Sequence, residues 1–469
     1  MYNECISQKK CEQEDAMGRF LNPGNEAFSE VIHSEIYVDK TPLLEYTNRV
    51  ISTTSKFICS SRPRRFGKSI TAEMLSAYYS KGSDSRELFA DYAIHKAESF
   101  EKHLNQYDVI HFDVQWCMMD AGNADCVVEY INHGILQELK EKYGELIPDT
   151  VKTAYGAMSY IKAASGNKFV VIIDEWDVLI RDEAQNHKVQ EEYIDFLRGM
   201  FKGSEPSKYI ALAYLTGILP IKKLKTQSAL NNFEEFTMLD AGRMAPYVGF
   251  TEEEVHDLCD RYGQIYEQVK LWYDGYSLEG YQVYNPKAVV SLMLNGKYKS
   301  YWSNTGSYEA IVPLINMNFD GLRAAIIEMM SGAAVDVDVT SFQNDTVSFA
   351  NRDDVLTYLI HLGYLAYDQD REQVFIPNEE IRHELNNAVK RNKWNEMITF
   401  QKESADLLDA TLDMDEKAVA DGIERIHQEY SSVIQYNDEN SLSSVLTIAY
   451  LSSMQYYFLS LIHISEPTR

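Results

Sequence analysis

A run of five apolar residues, Phe169 to Ile173, ends directly in the acidic pair Asp174-Glu175. An unbroken apolar run of this length, rich in β-branched residues, is typical of a strand buried on both faces of a parallel sheet. Parallel sheets belong to α/β proteins, and these proteins bind ligands at the carboxyl ends of their strands. The run therefore predicts an α/β fold with the two carboxylates at its binding edge.

A Gly-Lys-Ser sequence, residues 67–69, lies between the apolar run 57–59 and a helical pattern over 70–75. A nucleoside triphosphate needs N–H groups at a helix N-terminus, a lysine for its terminal phosphates and a hydroxyl for Mg²⁺. The general phosphate-loop pattern has Gly where this chain has Arg62, and Pro63 lacks an N–H, so the motif is incomplete. Paired with the acidic strand, it favours a P-loop NTPase over a chance Gly-Lys-Ser and an ordinary acidic loop.

Each part of the predicted site receives candidate residues. Ser69 and Asp174 are the predicted Mg²⁺ ligands, and Glu175 is the predicted base that activates water at the γ-phosphate. ATP and Mg²⁺ are therefore the expected ligands. The candidates for nucleotide binding are Arg62, Pro63, Arg64, Arg65, Phe66, Gly67, Lys68, Ser69 and Asp174.

Two further strands are predicted, over 107–114 and 209–217. Thr216, near the end of the second, is placed to contact the γ-phosphate or the attacking water, with an ordinary bond to backbone as the alternative. Arg198 is a candidate arginine finger that would act on the nucleotide of a neighbouring copy in a homo-oligomer, and a surface position on a helix is its alternative. The order of these features along the chain is that of AAA-like NTPases.

Seven segments of the chain carry a common resemblance. They are Tyr37-Val38-Asp39-Lys40-Thr41, Ser61 to Ser69, Ile173 to Asp177, Leu215 to Ile218, Asn231 to Phe233, Gly249 to Glu254 and Trp272 to Tyr276. Together they resemble the AAA-ATPase-like family, over residues 17 to 455. The resemblance implies an ATPase whose usual phosphate loop reads RPRRFGKS, and bacterial members commonly carry a C-terminal PD-(D/E)XK nuclease domain.

The predicted organisation has six parts. They are an N-terminal extension (1–25), an AAA-like P-loop core (26–230), a helical lid (231–335), a winged-helix-like module (336–390), the first helices of a truncated nuclease domain (391–460) and a non-native tail (461–469). Winged-helix modules bind DNA or serve as packing units, and the acidic residues of this one favour packing. The catalytic strands of the nuclease do not follow, so we expect no nuclease activity and DNA contact only through the missing domain.

Composition excludes several other classes. A net charge of −27 argues against a broad nucleic-acid surface, which needs clustered Lys and Arg. No apolar run of membrane-spanning length and no signal-peptide core occurs, so a cytoplasmic protein without a membrane partner is expected. The six cysteines form no C-x-x-C pair, and no zinc site is predicted.

Three functions compete. The preferred one is an ATP-binding and ATP-hydrolysing switch for a C-terminal effector, the nuclease. The second is a nucleotide-binding interaction module without turnover, which the altered phosphate loop allows. The third is a DNA-processing nuclease encoded by a longer gene, supported only by the family resemblance.

Overall fold

The computed structural model describes residues 18–183, 185–221, 230–302, 308–317, 319–344, 349–391 and 395–430. Residues 1–17 of the predicted extension lie outside this part of the chain. The predicted tail 461–469 and the portion of the predicted nuclease helices beyond residue 430 also lie outside it.

A parallel sheet of five strands forms the centre of the described structure, in the order β2-β3-β4-β1-β5. Every residue of β1, β3 and β4 is buried, and each fully buried Val, Leu or Ile contributes about 1.5–3 kcal/mol. The predicted α/β class with a parallel sheet is confirmed. The strands are β1 (Phe57–Ser61), β2 (Asp108–Asp113), β3 (Phe169–Asp174), β4 (Ile210–Gly217) and β5 (Glu234–Phe236).

Helices connect and cover these strands. Several begin at a side-chain cap: the Thr153 hydroxyl, for example, accepts a hydrogen bond from the N–H of Gly156. The helices up to β4 are α1 (Glu26–Ile32), α2 (Pro42–Val50), α3 (Lys68–Tyr79), α4 (Phe100–His103), α5 (Val114–Asp120), α6 (Val127–Tyr143), α7 (Ala154–Ser165), α8 (Val178–Asp182), α9 (His187–Phe201) and α10 (Pro206–Tyr209). Short 3₁₀ turns are Glu87–Phe89, Ala93–Lys96, Ala124–Cys126, Gly144–Leu146 and Gly242–Met244.

The fifth strand corrects the predicted boundary between core and lid. The range 231–335 was assigned to the lid, yet β5 pairs in parallel with β1, aligning Ile58 with Glu234 and Ser60 with Phe236. The core sheet therefore continues past residue 230. This strand is three residues long and begins with two glutamates, so it has no apolar periodicity that a sequence could reveal.

The region after β5 combines helices with a small antiparallel sheet and has its own hydrophobic cluster. Its first long helix begins with a capping box, in which the side chains of Thr251 and Glu254 each accept a backbone N–H. Glu254 also pairs with the Lys40 ammonium at 2.6 Å, which ties this region to the N-terminal segment. The elements are β6 (Phe250–Thr251), α11 (Glu252–Tyr262), α12 (Tyr266–Tyr273), β7 (Tyr276–Leu278), β8 (Tyr281–Tyr284) and α13 (Pro286–Asn295).

The C-terminal elements follow the predicted order of helix, glycine turn, two short strands and helix. A third strand, β9, pairs with β11, and α16 is buried from Asp354 to His361. This burial agrees with a packing role for the module, whose assignment as a separate domain stays a prediction. The elements are α14 (Tyr308–Ile315), α15 (Leu322–Met330), β9 (Val335–Asp336), α16 (Arg352–Leu362), β10 (Ala366–Asp368), β11 (Gln373–Phe375), α17 (Glu379–Arg391), α18 (Asn395–Leu412) and α19 (Glu416–Tyr430).

Membrane-spanning helices are not found among the described residues: none of the helices there combines the length and the hydropathy that a bilayer crossing requires.

Glu380, in the first turn of α17, is a buried carboxylate that joins this helix to the segment before α14. It accepts hydrogen bonds from the N–H groups of Tyr301 at 2.7 Å and Trp302 at 3.0 Å. Burial raises the pKa of Glu380 to about 7, against the lowering effect of these two N–H groups and of Arg65.

The substitution Glu380→Gln should remove a pH-dependent part of the stability. Because its folded-state pKa lies above the ordinary value, Glu380 favours the folded state at acidic pH, and this contribution is lost as the pH rises to about 7. The loss is on the order of 3 kcal/mol, at about 1.4 kcal/mol per pKa unit. Urea unfolding across the range from about pH 4.5 to 7 should therefore show a smaller fall in unfolding free energy for the variant than for the wild type.

The matched control is Glu253→Gln, which changes an exposed carboxylate in α11. Its unfolding free energy should fall with pH as steeply as that of the wild type. A wild-type slope in Glu380→Gln as well would contradict the raised pKa.

Candidate nucleotide-binding site

The carboxyl ends of β1, β3 and β4 lie side by side at one edge of the sheet. The register aligns Ser60 of β1 with Thr216 of β4, and Ile173 of β3 with Leu215 of β4. The loop after β1, the acidic pair after β3 and the end of β4 therefore meet at the edge where α/β sheets bind ligands. The structure brings together the three parts of the predicted site.

The phosphate loop leads directly into α3. Gly67 has a φ of 88°, in the left-handed region that glycine enters without strain, and α3 begins at the next residue, Lys68. Ser69 is exposed in the first turn. No side chain in the described part of the chain caps this helix, so its first N–H groups and the positive end of its dipole face the loop. Such a terminus suits an anion such as a phosphate.

Lys68 is the lysine of this loop, and its side chain is only 4% exposed. The ammonium donates to the carbonyl oxygen of Pro63 at 3.0 Å and lies 3.9 Å from Glu175 Oε1. Burial lowers the pKa of Lys68, whereas the carboxylates of Glu175 and Asp174 raise it. The ammonium is therefore held between its own loop and the acidic strand, within reach of both halves of the site.

Asp174 and Thr216 are in direct contact across neighbouring strands. The Thr216 hydroxyl donates to Asp174 Oδ1, which also accepts the N–H of Glu175 at 3.0 Å. The Thr216 carbonyl in turn accepts the N–H of Trp176 at 2.9 Å. The predicted γ-phosphate contact of Thr216 stays a prediction, since the hydroxyl here bonds to the acidic strand.

The donor set fits Mg²⁺ as nucleotide enzymes hold it. Ser69 and Asp174 offer a hydroxyl and a carboxylate, which are the hard oxygen donors that Mg²⁺ prefers. Within the described ranges no three His, Cys, Asp or Glu residues are grouped so as to hold a metal by themselves. Mg²⁺, which usually takes one or two protein ligands together with phosphates and water, stays a prediction here.

Glu175 lies between two cations on a strained backbone. Its φ of 50° falls in the left-handed region, which costs about 1 kcal/mol or more and is concentrated at functional sites. Its Oε1 lies 3.9 Å from the Lys68 ammonium, and its Oε2 accepts from Arg181 at 3.5 Å. Burial raises the pKa of Glu175, Lys68 and Arg181 lower it, and Asp177 and Asp174 raise it. A carboxylate in this position can orient and deprotonate a water molecule.

The other candidate residues of the loop serve as anchors. The Arg62 guanidinium is fully buried and donates to the Thr237 carbonyl at 2.7 Å, and its burial lowers the pKa to about 10. Arg65 donates to the Tyr301 carbonyl at 2.6 Å, while Arg64 is exposed. These contacts attach the loop to the residue after β5 and to the segment before α14, and nucleotide binding by Arg62, Arg64 and Arg65 stays a prediction.

Two more loop residues contact the C-terminal part of the protein. Phe66 packs edge-on against Tyr276, with ring centroids 5.5 Å apart. Pro63 packs so closely against Gly363, just after α16, that a Cβ added there would lie 2.7 Å from the Pro63 Cβ. Gly363 has a φ of 84°, and its carbonyl accepts a hydrogen bond from the Tyr276 hydroxyl. The loop is thus covered on one side by β7 and by the turn after α16.

Arg198 lies on α9 and forms an exposed ion pair with Asp195 at 2.8 Å. The predicted arginine finger would act on a second copy of the chain, and it stays a prediction.

Two buried charged residues beside Glu175 are not among the site residues predicted from the sequence. Asp177 is fully buried and accepts the N–H groups of Ile218 at 3.0 Å and Leu219 at 2.8 Å, which fixes the chain beyond Thr216. Arg181 pairs with Asp177 at 3.2 Å and with Glu175 at 3.5 Å. The four-residue spacing of Asp177 and Arg181 is the signal that could have revealed this pair.

Residues 23–226 match the family model described as a predicted AAA-ATPase. This segment belongs to the AAA-ATPase-like family. The match contains the phosphate loop, the acidic strand and Thr216, and it supports a P-loop NTPase.

The chain is also similar to a protein of Azotobacter chroococcum mcd 1, described as an uncharacterized protein in the vnfD 5′ region. The identity is 24% over 396 residues, which cover 80% of this chain and 70% of that protein. The similarity therefore extends well beyond the AAA-ATPase-like segment.

Two solved structures give distant similarities. The Aeropyrum pernix ORC2 protein, in ADPNP–ADP complexes, has a TM-score of 0.36 and 11% identity, covering 76% of this chain and 97% of that one. Cdc6p from Pyrobaculum aerophilum has a TM-score of 0.28 and 9% identity, covering 78% and 98%. At these scores they carry no argument about this chain.

The substitution Lys68→Ala should weaken ATP binding, because the buried ammonium is the cation nearest the start of α3. A hydrogen bond to a charged group contributes ~1.5–3 kcal/mol, so we expect a loss in affinity of roughly ten- to a hundredfold. Isothermal titration with ATP measures it. Lys208→Ala, which changes an exposed lysine paired with Glu205, is the control. Wild-type affinity in a folded Lys68→Ala variant would remove Lys68 from the site.

Proposed function

We propose that this chain is an ATP-binding and ATP-hydrolysing switch whose nucleotide state is passed to its C-terminal elements. One observation carries the proposal: Lys68, Glu175 and the Asp174–Thr216 pair converge at the carboxyl edge of the parallel sheet, beside the uncapped start of α3. A cation, a carboxylate base and a polar strand end are what phosphoryl transfer to water needs around the terminal phosphate.

The proposed reaction is attack of water on the γ-phosphorus. Glu175 accepts a proton from the water as its oxygen bonds to phosphorus, and the bond to the β-phosphate oxygen breaks, which gives ADP and inorganic phosphate. Lys68 leaves the Pro63 carbonyl and binds the terminal phosphates. Ser69 and Asp174 would hold Mg²⁺, which would supply charge neutralisation at the phosphate oxygens.

The contacts around the loop support transmission to the C-terminal elements. The Pro63 carbonyl accepts from Lys68, and the Pro63 ring packs on Gly363 at the end of α16. Arg65 bonds to the Tyr301 carbonyl, and the Tyr301 N–H is held by Glu380 of α17. Withdrawal of Lys68 by a nucleotide therefore acts on a loop that is attached to both helices.

The effector that follows is proposed from the family resemblance alone, as a nuclease encoded beyond this region. DNA contact through that domain, and assembly of several copies with Arg198 as a finger, belong to the same proposal. Binding without turnover remains the second candidate, because Arg62 and Pro63 replace the first residues of a general phosphate loop and the Arg62 side chain is committed to the protein interior.

The substitution Glu175→Gln should leave ATP bound and slow phosphate release by ~10²-fold or more, as expected for loss of a general base. Glutamine keeps the size and hydrogen bonding of the side chain and loses the acceptor of the proton. The measurements are an ATP titration and phosphate release, for both proteins.

Each titration is run with and without Mg²⁺. Phosphate release by the wild-type protein that requires Mg²⁺ distinguishes an ATPase from a binding module. A binding module would bind ATP and release no phosphate. Wild-type turnover in Glu175→Gln would remove Glu175 from its role as base.

The switch itself predicts a change in amide exchange. In the Glu175→Gln protein, ATP should speed hydrogen exchange at Tyr301, Trp302 and α17, since the contacts of Pro63 and Arg65 with these elements are disturbed when Lys68 turns to the phosphates. Hydrogen–deuterium exchange with mass spectrometry, with and without ATP, measures it.

Helix α7 serves as the internal control, because it packs against α6 and α10, away from the loop. The Lys68→Ala protein should show no nucleotide-dependent change. Identical exchange at Tyr301, Trp302 and α17 in the free and ATP-bound protein would contradict the proposed transmission.

A further inference from the structure

Arg181, on α8, is the hub of a buried charge cluster next to the phosphate loop. Its guanidinium is only 6% exposed and reaches three carboxylates: Asp182 at 3.0 Å, Asp177 at 3.2 Å and Glu175 at 3.5 Å. A guanidinium is planar and always charged, so it can hold several carboxylates in a fixed arrangement. The described contacts of Arg181 thus join the predicted base to the helix that follows it.

The two oxygens of Glu175 face different cations. Oε1 lies near Lys68, at 3.9 Å, and Oε2 accepts from Arg181. In the proposed function a nucleotide draws Lys68 to its phosphates, and the contact on Oε1 is then released. The nucleotide does not draw Arg181 away in this manner. The other contacts of Arg181 are to Asp177 and Asp182, which are carboxylates of its own segment.

Resting on that proposed function, we propose that Arg181 is the positioning residue of the hydrolysis reaction, holding the Glu175 carboxylate in place once Lys68 has moved to the phosphates. It acts through Glu175 and does not touch the reacting atoms. With Arg181 in place, one carboxylate oxygen stays anchored and the other becomes free to accept the proton of the attacking water.

The anchor is itself fixed to the sheet. Asp177, which pairs with Arg181, is fully buried and accepts the N–H groups of Ile218 and Leu219, directly after β4. Arg181 therefore stands in a fixed relation to the strand that carries Thr216. A reacting group displaced by about 1 Å can lose ~10²-fold in rate, so an anchor of this kind matters for turnover more than for binding.

One side chain of helix α16 interacts electrostatically with the cluster. Tyr358 is buried there and interacts electrostatically with Arg181, Asp177 and Asp182, and with Arg64 of the phosphate loop. Because the Arg181 side chain is only 6% exposed, water has little access to the guanidinium, and its pair with the buried Asp177 is weakly screened.

The test compares Arg181→Gln and Arg181→Lys with the wild type, by kcat, KM and ATP titration. We expect Arg181→Gln to lower kcat by ~10- to 100-fold with ATP affinity unchanged, because the base is displaced and the phosphate contacts remain. Arg181→Lys keeps the positive charge without the planar guanidinium, and its kcat should lie between that of the wild type and that of Arg181→Gln. If Arg181 had only a structural role, its substitution would lower the fraction of folded protein and leave the kcat of that fraction unchanged.

A double-mutant cycle with Glu175→Gln locates the effect. If Arg181 acts through Glu175, Arg181→Gln should cause little further loss in the Glu175→Gln background. Arg86→Gln is the control: this arginine pairs with Glu101 of α4, outside the elements that the proposal uses, and it should keep the wild-type kcat.

The possible results are separable. If Arg181→Gln lowers kcat equally in the wild-type and Glu175→Gln backgrounds, or if folded Arg181→Gln keeps the wild-type kcat, the assignment of Arg181 is overturned. The proposed ATPase function is then left intact. If Arg181→Gln does not fold, Arg181→Lys decides: a lowered kcat with unchanged ATP affinity supports the assignment, and a wild-type kcat overturns it. A wild type that releases no phosphate from ATP overturns both the proposed function and this assignment.

Discussion

The parallel pairing of β4 with both β1 and β3 is the constraint on which the site depends. It places three carboxyl ends at one edge, so that residues far apart in the chain, Lys68, Glu175 and Thr216, come within a few ångströms of a common acidic centre. A shift of one strand by a single residue would turn these side chains to other positions. Because every residue of these strands is buried, the register is fixed by the packing of both faces.

Around that edge, the buried charged side chains are paired with one another and are not solvated by water. Lys68, Glu175, Asp177 and Arg181 alternate in sign over short distances, and each of their side chains is at most 16% exposed. A lone buried charge is costly, and each of these offsets the desolvation of another. The same network makes Lys68 available to a ligand with more negative charge than Glu175 offers, since a triphosphate can replace the carboxylate as its partner.

The covering of the phosphate loop by elements that follow the core sheet distinguishes this protein from an isolated P-loop domain. Pro63 against Gly363, Arg65 against Tyr301 and Phe66 against Tyr276 explain three loop residues that the sequence assigned to the nucleotide. Their contact with a nucleotide stays a prediction, because a motif records the position of a residue and not the direction of its side chain. Their side chains point to partners two to three hundred residues away in sequence, which only the folded chain reveals.

The sequence by itself determined the fold class, the principal buried strands and the start of α3, because apolar runs and a Gly-Lys-Ser turn are local signals. It also gave the acidic pair and Thr216 as candidates. It missed β5, whose glutamates have no strand pattern, and the roles of Asp177 and Arg181. Those were decided by tertiary structure alone: a charge acquires its role from the groups that surround it after burial, and neighbouring strands are chosen by long-range packing that no short segment encodes.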